Sequence, residues 1–399
     1  MKILQICSKV PFPPKDGGSL AMNMLTQGLM ASGNEVQVLA VSTPKHFIKD
    51  EEVDSQYRNK TSFRSVFIDT SVKPLNAVLN LFSNKSYNII RFYSKDFESV
   101  LLNIISEQKF DVVILEALWV TVYLDAIRKH SNAKVLYRAH NSEFQIWERL
   151  AVDCRNPLKR SYLTLLAKRL KNYEVEMLNK YDGIAAITEA DAAGFKALGC
   201  HIPIVHIPFG IDLQNYKPDN SDIEHPSLFH LGSMDWQPNA DGISWFLKNA
   251  WPQITSKHPN LKLYLGGRGM PQWLQHLFVK NVMIKGEVAN AREFINSKSI
   301  MIVPLHSGSG MRVKIVEGMA LGKTIISTTV GAEGINYENE KNILIADTAE
   351  EFGRAVTKCI GDKAFCESIG ANARILVEKK YDNNMITANL SEFLRTLLP

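Results

Sequence analysis

The feature that most constrains this chain is an alternation, run through twice, between short β-branched apolar stretches and segments of helical period. The first series reads KILQIC, LAMNMLTQGLMASG, EVQVLAV, DVVILEA, KVLYRAH and GIAAIT. The second reads LFHLGSM, GISWFLKNAWPQI, LKLYLGG, NVMIKGEV, SIMIVPL, MRVKIVEGMALG and TIISTTV. Strands separated by helices pair in parallel, because each helix carries the chain back across the sheet, so each series predicts βαβ units on a buried sheet. Two such series in 399 residues predict an α/β chain of two Rossmann-like domains, consistent with roughly 100 to 200 residues per domain. Between them, IPIVHIPFGIDLQNYKPDNSDIEHPS is rich in Pro, Asp and Asn and keeps no period, which places a linker at about Ile202 to Pro226. The domains are therefore expected at 1–202 and 203–382. The amphipathic stretch NNMITANLSEFLRTLL, within 383–399, is expected to cross back onto the first.

Composition excludes several classes. With 45% hydrophobic and 22% charged residues the chain is ordinary globular protein, neither disordered nor a disulfide scaffold. Its five cysteines are scattered, odd in number and without C-x-x-C spacing, which fits a reduced, cytoplasmic setting. MKILQICSKVPFPP reads as a first strand, its apolar run being too short for a signal segment. No run approaches the roughly 18 to 20 apolar residues of a spanning helix, so any membrane contact is peripheral, at the inner face. A net charge of +5, with no basic run interleaved with aromatics, gives no sign of a nucleic-acid partner. From Cys154 to Tyr173, however, six basic residues occur with no acid, and Tyr162, Leu163, Leu165 and Leu166 lie between them. This segment is read either as a solvated helix packing its apolar side or as a contact with anionic membrane.

Two glycine loops carry candidate chemistry. After the first strand, prolines delay the helix until Gly17 and Gly18 open it at Ser19. Backbone N–H groups there favour an anion, although a plain glycine turn capped by Ser19 explains the sequence equally well. In the second half, VPLHSGSGMRVKIVEGMALGKTIIST reads strand, glycine loop, helix, glycine stop, strand, with Val313, Val316 and Ala320 facing the core and Gly322 ending the helix. Arg312 and Lys314 fall in the first turn, where the helix dipole disfavours cations, and Glu317 lies a turn farther on. A diphosphate held by both cations and the N–H groups of Ser309, Gly310 and Met311 resolves that conflict. A ribose whose hydroxyls donate to Glu317 accounts for the acid.

These residues resemble the donor-site motif of the family-4 retaining glycosyltransferases of the GT-B fold, in which two glutamates precede A-x-A-x-G-x-P-V. Glu317 matches the second glutamate and the first falls at Ser309, so the chain is similar to the subgroup G-S-G-x-R-x-K-x-x-E. The resemblance extends over nearly the whole chain. Asn239 in HLGSMDWQPNADG stands where many relatives carry a phosphate-binding lysine, and Gly266, Gly286 and Val288 match positions that hold the nucleobase. PPKDGG resembles the family's first glycine loop, and His140 in RAHNSEF matches the histidine placed against the donor sugar, with Glu143 either orienting it or capping the next helix.

The resemblance implies two domains facing each other across a cleft, with catalytic residues His140, Arg312 and Lys314. Its donor is a nucleoside-diphosphate sugar and its acceptor a glycan or a lipid-linked acceptor of bacterial surface-polysaccharide synthesis. No cofactor or metal is expected: the chain has no D-x-D, and no His/Cys/Asp cluster has ligand spacing. Asp16 lies near enough to the glycine loop to touch an acceptor, and Tyr87, Arg91, Phe92 and Tyr93 are further candidates for acceptor contacts. Two other readings share the fold: a two-domain sugar-nucleotide epimerase, and a non-catalytic sugar-nucleotide binder.

Overall fold

The computed structural model describes residues 1–219, 221–308 and 310–399. The chain forms two compact units, Met1–Gly210 with Asn384–Pro399, and Ile211–Asn383. The first is built on seven parallel strands: β1 (Lys2–Cys7), β2 (Glu35–Ser42), β3 (Arg64–Phe67), β4 (Val112–Glu116), β5 (Lys134–Ala139), β6 (Gly183–Ala186) and β7 (Ile204–His206). Their order is β3-β2-β1-β4-β5-β6-β7. Leu4 and Ile6 enter one core while Ile3 and Cys7 enter another on the opposite face, because successive side chains of a strand alternate. A sheet covered on both faces reads as near-continuously apolar, and from Ile3 to Cys7 β1 does except at the buried Gln5.

The C-terminal helix Asn383–Leu397 completes the second of these cores. Ile386, Leu390 and Leu394, spaced to share one helical face, pack with Val36, Val38 and Ile114, and Asn34 Nδ2 donates to Ser391 Oγ at 3.1 Å. Within the stretch read as linker, Ile204–His206 pairs in register with Ile184–Ala186 as an edge strand. Three residues are too few to show a period, which is why the sequence did not reveal it.

The second unit has six parallel strands: β8 (Glu224–Leu231), β9 (Lys262–Gly266), β10 (Val282–Gly286), β11 (Lys298–Val303), β12 (Thr324–Ser327) and β13 (Leu344–Ile345), in the order β10-β9-β8-β11-β12-β13. In each unit the first strand lies inside the sheet and the chain builds outward on both sides of it. The β1–β4 and β8–β11 junctions are therefore topological switch points, where the loops leaving the carboxyl ends of adjacent strands diverge and open a crevice.

Candidate functional site

In the second unit the crevice lies at the ends of β8 and β11, where the helices Gln237–Trp245 and Val313–Ala320 begin. His230, on β8, is fully buried, with Nδ1 2.8 Å from the Ile302 carbonyl of β11. A carbonyl only accepts, so Nδ1 carries the proton and Nε2 offers a lone pair. Burial, then the neighbouring Lys314, push the imidazole well below its ordinary pKa and keep it neutral. Lys314 Nζ lies 3.2 Å from that Nε2 and donates to Asn239 Oδ1 at 2.7 Å. Burial and the positive charge of Arg312, partly offset by Glu317, bring the Lys314 ammonium down to about 7.

Arg312 is buried, with its guanidinium 5.2 Å from the centre of the Trp236 ring and Nη1 bonded to the Gly310 carbonyl. The sequence placed Arg312 within the first turn; it is instead the residue before the helix, with extended backbone, and Val313 opens the helix. The carbonyl bond and the aromatic ring stabilise a cation there against the dipole. The glycines of the loop are required. Gly308 and Gly310 have φ of +102° and +80°, and a Cβ on Gly308 would come within 3.0 Å of Arg312 Nη2 and the Trp236 ring. Ser309 lies outside the described residues. Met311 is half-buried beside Gly310.

Glu317, one turn into the helix, accepts a hydrogen bond from Tyr216 Oη at 2.6 Å, and burial raises its carboxyl above the usual range. The helix then ends as its sequence indicates, with Gly322 at φ +67° donating to the Met319 carbonyl at 3.0 Å. Its buried face is Ile315, Val316, Met319 and Ala320, Val313 being only half-buried. Gly266 and Gly286 are the last residues of β9 and β10 and pair with each other. The loops beyond them are drawn close to β8: Gly232 N donates to the Gly266 carbonyl at 3.1 Å, and Gly267 N to the Gly286 carbonyl at 2.7 Å. A Cβ on Gly267 would lie 1.8 Å from the Gly232 carbonyl oxygen, so only glycine fits. Val288 follows β10 on the same edge. The structure thus brings Arg312, Lys314, Glu317, Gly310, Gly266 and Gly286 to one end of one sheet. His230, Trp236 and Tyr216 join them. The sequence reading missed these three because a histidine in an apolar strand and an aromatic in a loop look like ordinary core.

In the first unit a cavity of about 370 Å³ opens beside the β1–β4 switch point, lined among others by Lys9, Gly18, His46, Trp119, His140 and Glu143. Gly17 is exposed and lies off this lining. The helix Gly17–Ala31 is capped by Asp16 rather than Ser19: Asp16 Oδ1 accepts from Ser19 N at 2.8 Å while Ser19 Oγ accepts from Asp16 N at 2.9 Å. Asp16 also meets His46 Nε2 at 2.7 Å and Lys9 Nζ at 3.0 Å. Against burial, which pushes it up, the His46 hydrogen bond, the Lys9 charge and the cap bond hold its carboxyl well below the usual range. So engaged, Asp16 is a poor base. Of the aromatic and basic residues 87–93, Phe92 reaches the cavity, stacked 5.6 Å from Trp119. Tyr87 is buried with Oη on the Lys73 backbone, Tyr93 donates to Glu98, and Arg91 is half-buried off the lining.

His140 follows β5, and its Nε2 lies 2.6 Å from Oε2 of Glu116, the buried last residue of β4. Glu116 Oε1 accepts from Gln5 Nε2 at 2.9 Å, and Gln5 Oε1 accepts from Thr26 Oγ1 at 2.6 Å, so the histidine ends a chain of bonds across three strands. Glu116, not Glu143, orients the ring. The N–H groups of Glu143 and Phe144 go to the Glu174 carboxylate. The Glu143 carboxyl faces the cavity with a 3.4 Å bond from Asn141, and burial pushes it up to about 7.

Both halves of the chain match known families. Residues 16–215 match Glycosyltransferase Family 4, and residues 225–362 match Glycosyl transferases group 1. An uncharacterized 44.6 kDa protein in the cps region of Klebsiella pneumoniae is 21% identical and covers 98% of each chain. The capsular polysaccharide biosynthesis glycosyltransferase CapM of Staphylococcus aureus is 26% identical over 47% of this chain and 53% of its own length. In fold, the chain matches Anabaena HepE, solved with UDP-glucose, with a TM-score of 0.67 at 15% identity over 99% of this chain and all of that one. The chain thus belongs to the group 1, family 4 glycosyltransferases of the GT-B fold.

Proposed function

We propose that this glycosyltransferase moves a sugar, with retention of configuration, from a nucleoside-diphosphate donor to a glycan or lipid-linked acceptor in bacterial surface-polysaccharide synthesis. The observation that carries the reading is the pairing of Arg312 and Lys314 at the β8–β11 junction, where burial and mutual repulsion depress the lysine. Lys314 rests on neutral partners, His230 and Asn239, and Arg312 on the Trp236 ring and the Gly310 carbonyl, and two cations so placed favour a dianion such as a diphosphate. Glu317, held by Tyr216 and one turn into the same helix, is the acid we assign to the ribose hydroxyls.

As the bond from the sugar C1 to the diphosphate oxygen breaks and the bond from C1 to the acceptor oxygen forms, negative charge grows on the departing diphosphate. Arg312 and Lys314 stabilise that charge, a role which asks nothing of a metal. The acceptor proton passes to a phosphate oxygen of the leaving group, in keeping with the engaged state of Asp16. His140, oriented by Glu116, hydrogen-bonds the transferred sugar. Relatives from a cps region and a capsular pathway support the polysaccharide assignment, and the likeness to a protein solved with UDP-glucose makes UDP-sugars the first donors to try.

The test is incubation with a panel of nucleotide sugars and oligosaccharide or polyprenyl-phosphate sugar acceptors, following free nucleoside diphosphate and the anomer formed. Acceptor-dependent release with the donor's anomeric configuration is expected. An epimerised donor, or a donor bound but unchanged with every acceptor, replaces the proposal with the epimerase or the binder. Release with the opposite anomer overturns retention alone.

A further inference from the structure

Residues 72–82 of the first unit present an unusual surface. Phe82 is 89% exposed, Leu75 70%, Val72 61%, Leu79 60% and Val78 54%, and Leu81 is exposed with them. Scattered exposed hydrophobics are ordinary, but contiguous apolar patches on a protein surface mark contact sites. The segment is not a loose end. The Arg169 guanidinium donates to the carbonyls of Asn80 and Leu81 at 2.9 and 3.0 Å and to Asn80 Oδ1 at 3.1 Å. At the other end of the short helix Pro74–Asn80, Lys73 N donates to Tyr87 Oη at 3.1 Å. An arginine on the last carbonyls satisfies the helix end, so the apolar side is held outward.

Arg169 belongs to the helix Pro157–Met177, whose own outer face is basic. Arg155, Lys159, Arg160 and Lys168 are exposed, Leu158 between them is 85% exposed, and Lys85 is exposed beyond the apolar segment. From Cys154 to Tyr173 there is no acid to cancel these charges. Of the exposed acids around the face, Asp69 pairs with Lys73 at 3.1 Å, Glu148 with Lys171 at 3.5 Å and Glu176 with Lys180 at 2.6 Å, and Asp153 lies exposed just before Arg155, so cations outnumber acids there.

We propose that this face, the apolar segment 72–82 tied by Arg169 to the basic helix Pro157–Met177, docks on an anionic lipid bilayer. A protein partner would cover the apolar residues but has no general reason to match cations on either side of them. A bilayer supplies both an acyl region for Leu75, Leu79 and Phe82 and a sheet of negative headgroups for the lysines and arginines. Among the described residues no helix is long and apolar enough to cross a membrane, so the contact lies on the surface. The inference stands apart from the catalytic reading, since none of these residues is in the donor or cavity lining.

The experiment is co-sedimentation of the full chain with vesicles of phosphatidylcholine alone and of phosphatidylcholine with phosphatidylglycerol, across a salt series. Binding only to the anionic vesicles, weakening as salt rises, is expected. Leu75→Ser/Leu79→Ser/Phe82→Ser and Lys159→Glu/Arg160→Glu should each lower partitioning about tenfold or more. These side chains are exposed, so circular dichroism and the melting temperature should match wild type; if the triple variant melts early, Phe82→Ser alone serves. Wild type that ignores anionic vesicles at low salt, or an apolar variant that binds as well as wild type, overturns the proposal. A dimer by light scattering that the apolar variant dissolves, without vesicle binding, also overturns it and makes a second copy the occupant.

Discussion

Lys314 Nζ donates to Asn239 Oδ1 at 2.7 Å, so the ammonium of one helix sits against an amide on another, at the position where the family resemblance implies a phosphate-binding lysine. We propose that the charge has been kept and its carrier exchanged. If so, Lys314→Asn weakens binding of the nucleoside diphosphate about tenfold or more, a charge-assisted bond being worth roughly 1.5 to 3 kcal/mol. Asn239→Lys with Lys314→Asn should recover much of that loss, whereas Asn239→Lys alone crowds two ammonium groups and recovers none. Calorimetry on the four proteins is a double-mutant cycle, and additive losses would refute the exchange.

Arg312 is held by a ring as well as by the Gly310 carbonyl, since its guanidinium lies over Trp236. Arg312→Lys keeps the charge but gives up the planar stacking, so it should bind nucleoside diphosphate less tightly than wild type and better than Arg312→Ala. Trp236→Ala should narrow the gap between the arginine and lysine forms. An unchanged gap would show that the ring plays no part.

Glu317→Gln retains the shape of the side chain while weakening acceptance from hydroxyls. Tyr216→Phe removes the 2.6 Å bond that fixes the acid. Nucleotide affinity should fall in Glu317→Gln with little change in melting temperature, and fall less in Tyr216→Phe. A ligand lacking the ribose hydroxyls should be bound equally by wild type and Glu317→Gln; a difference there would place the glutamate on another part of the donor.

His140 and Glu116 predict a split between chemistry and binding. His140→Ala should reduce kcat about a hundredfold or more, since effects of this size follow the loss of one positioned polar group, while nucleoside diphosphate affinity changes little. Glu116→Gln breaks a buried network that includes Arg138 at 3.7 Å and should also lower stability, by about 3 to 5 kcal/mol. Equal losses of affinity and kcat in His140→Ala, in a folded protein, would remove the histidine from the transferred sugar.

Burial raises the Glu143 carboxyl to about 7 from an ordinary value near 4.5. An acid whose folded pKa is raised binds its proton more tightly when folded, so its contribution is complete below the ordinary value and is lost as pH rises through about 7. Glu143→Gln should therefore flatten the stability profile between pH 5 and 8, by on the order of 3 kcal/mol relative to wild type. Lys314, depressed to about 7, acts with the opposite sign above that pH but is common to both proteins and cancels in the difference. Parallel denaturation profiles across this window would mean that Glu143 is ionised in the folded chain.

The elements of this chain and the residues proposed to hold its donor were legible because they depend on neighbours in sequence. A strand of alternating apolar faces, a helix stopped by Gly322, and a cation and an acid spaced along Val313–Ala320 are set by backbone geometry and short-range sterics. Even so, local rules did not choose between Asp16 and Ser19 as a cap, for both residue types accept the same N–H groups and the choice falls to His46 and Lys9, which hold the aspartate from outside the helix. What neutralises or supports each functional group was decided by strand order. Lys314 meets Asn239 across 75 positions of sequence, and Tyr216 meets Glu317 across 101. Glu116 meets His140 only because β4 and β5 are adjacent. Such contacts satisfy buried polar groups with whatever the packed sheet brings near, and nothing in the local sequence of either partner encodes the other.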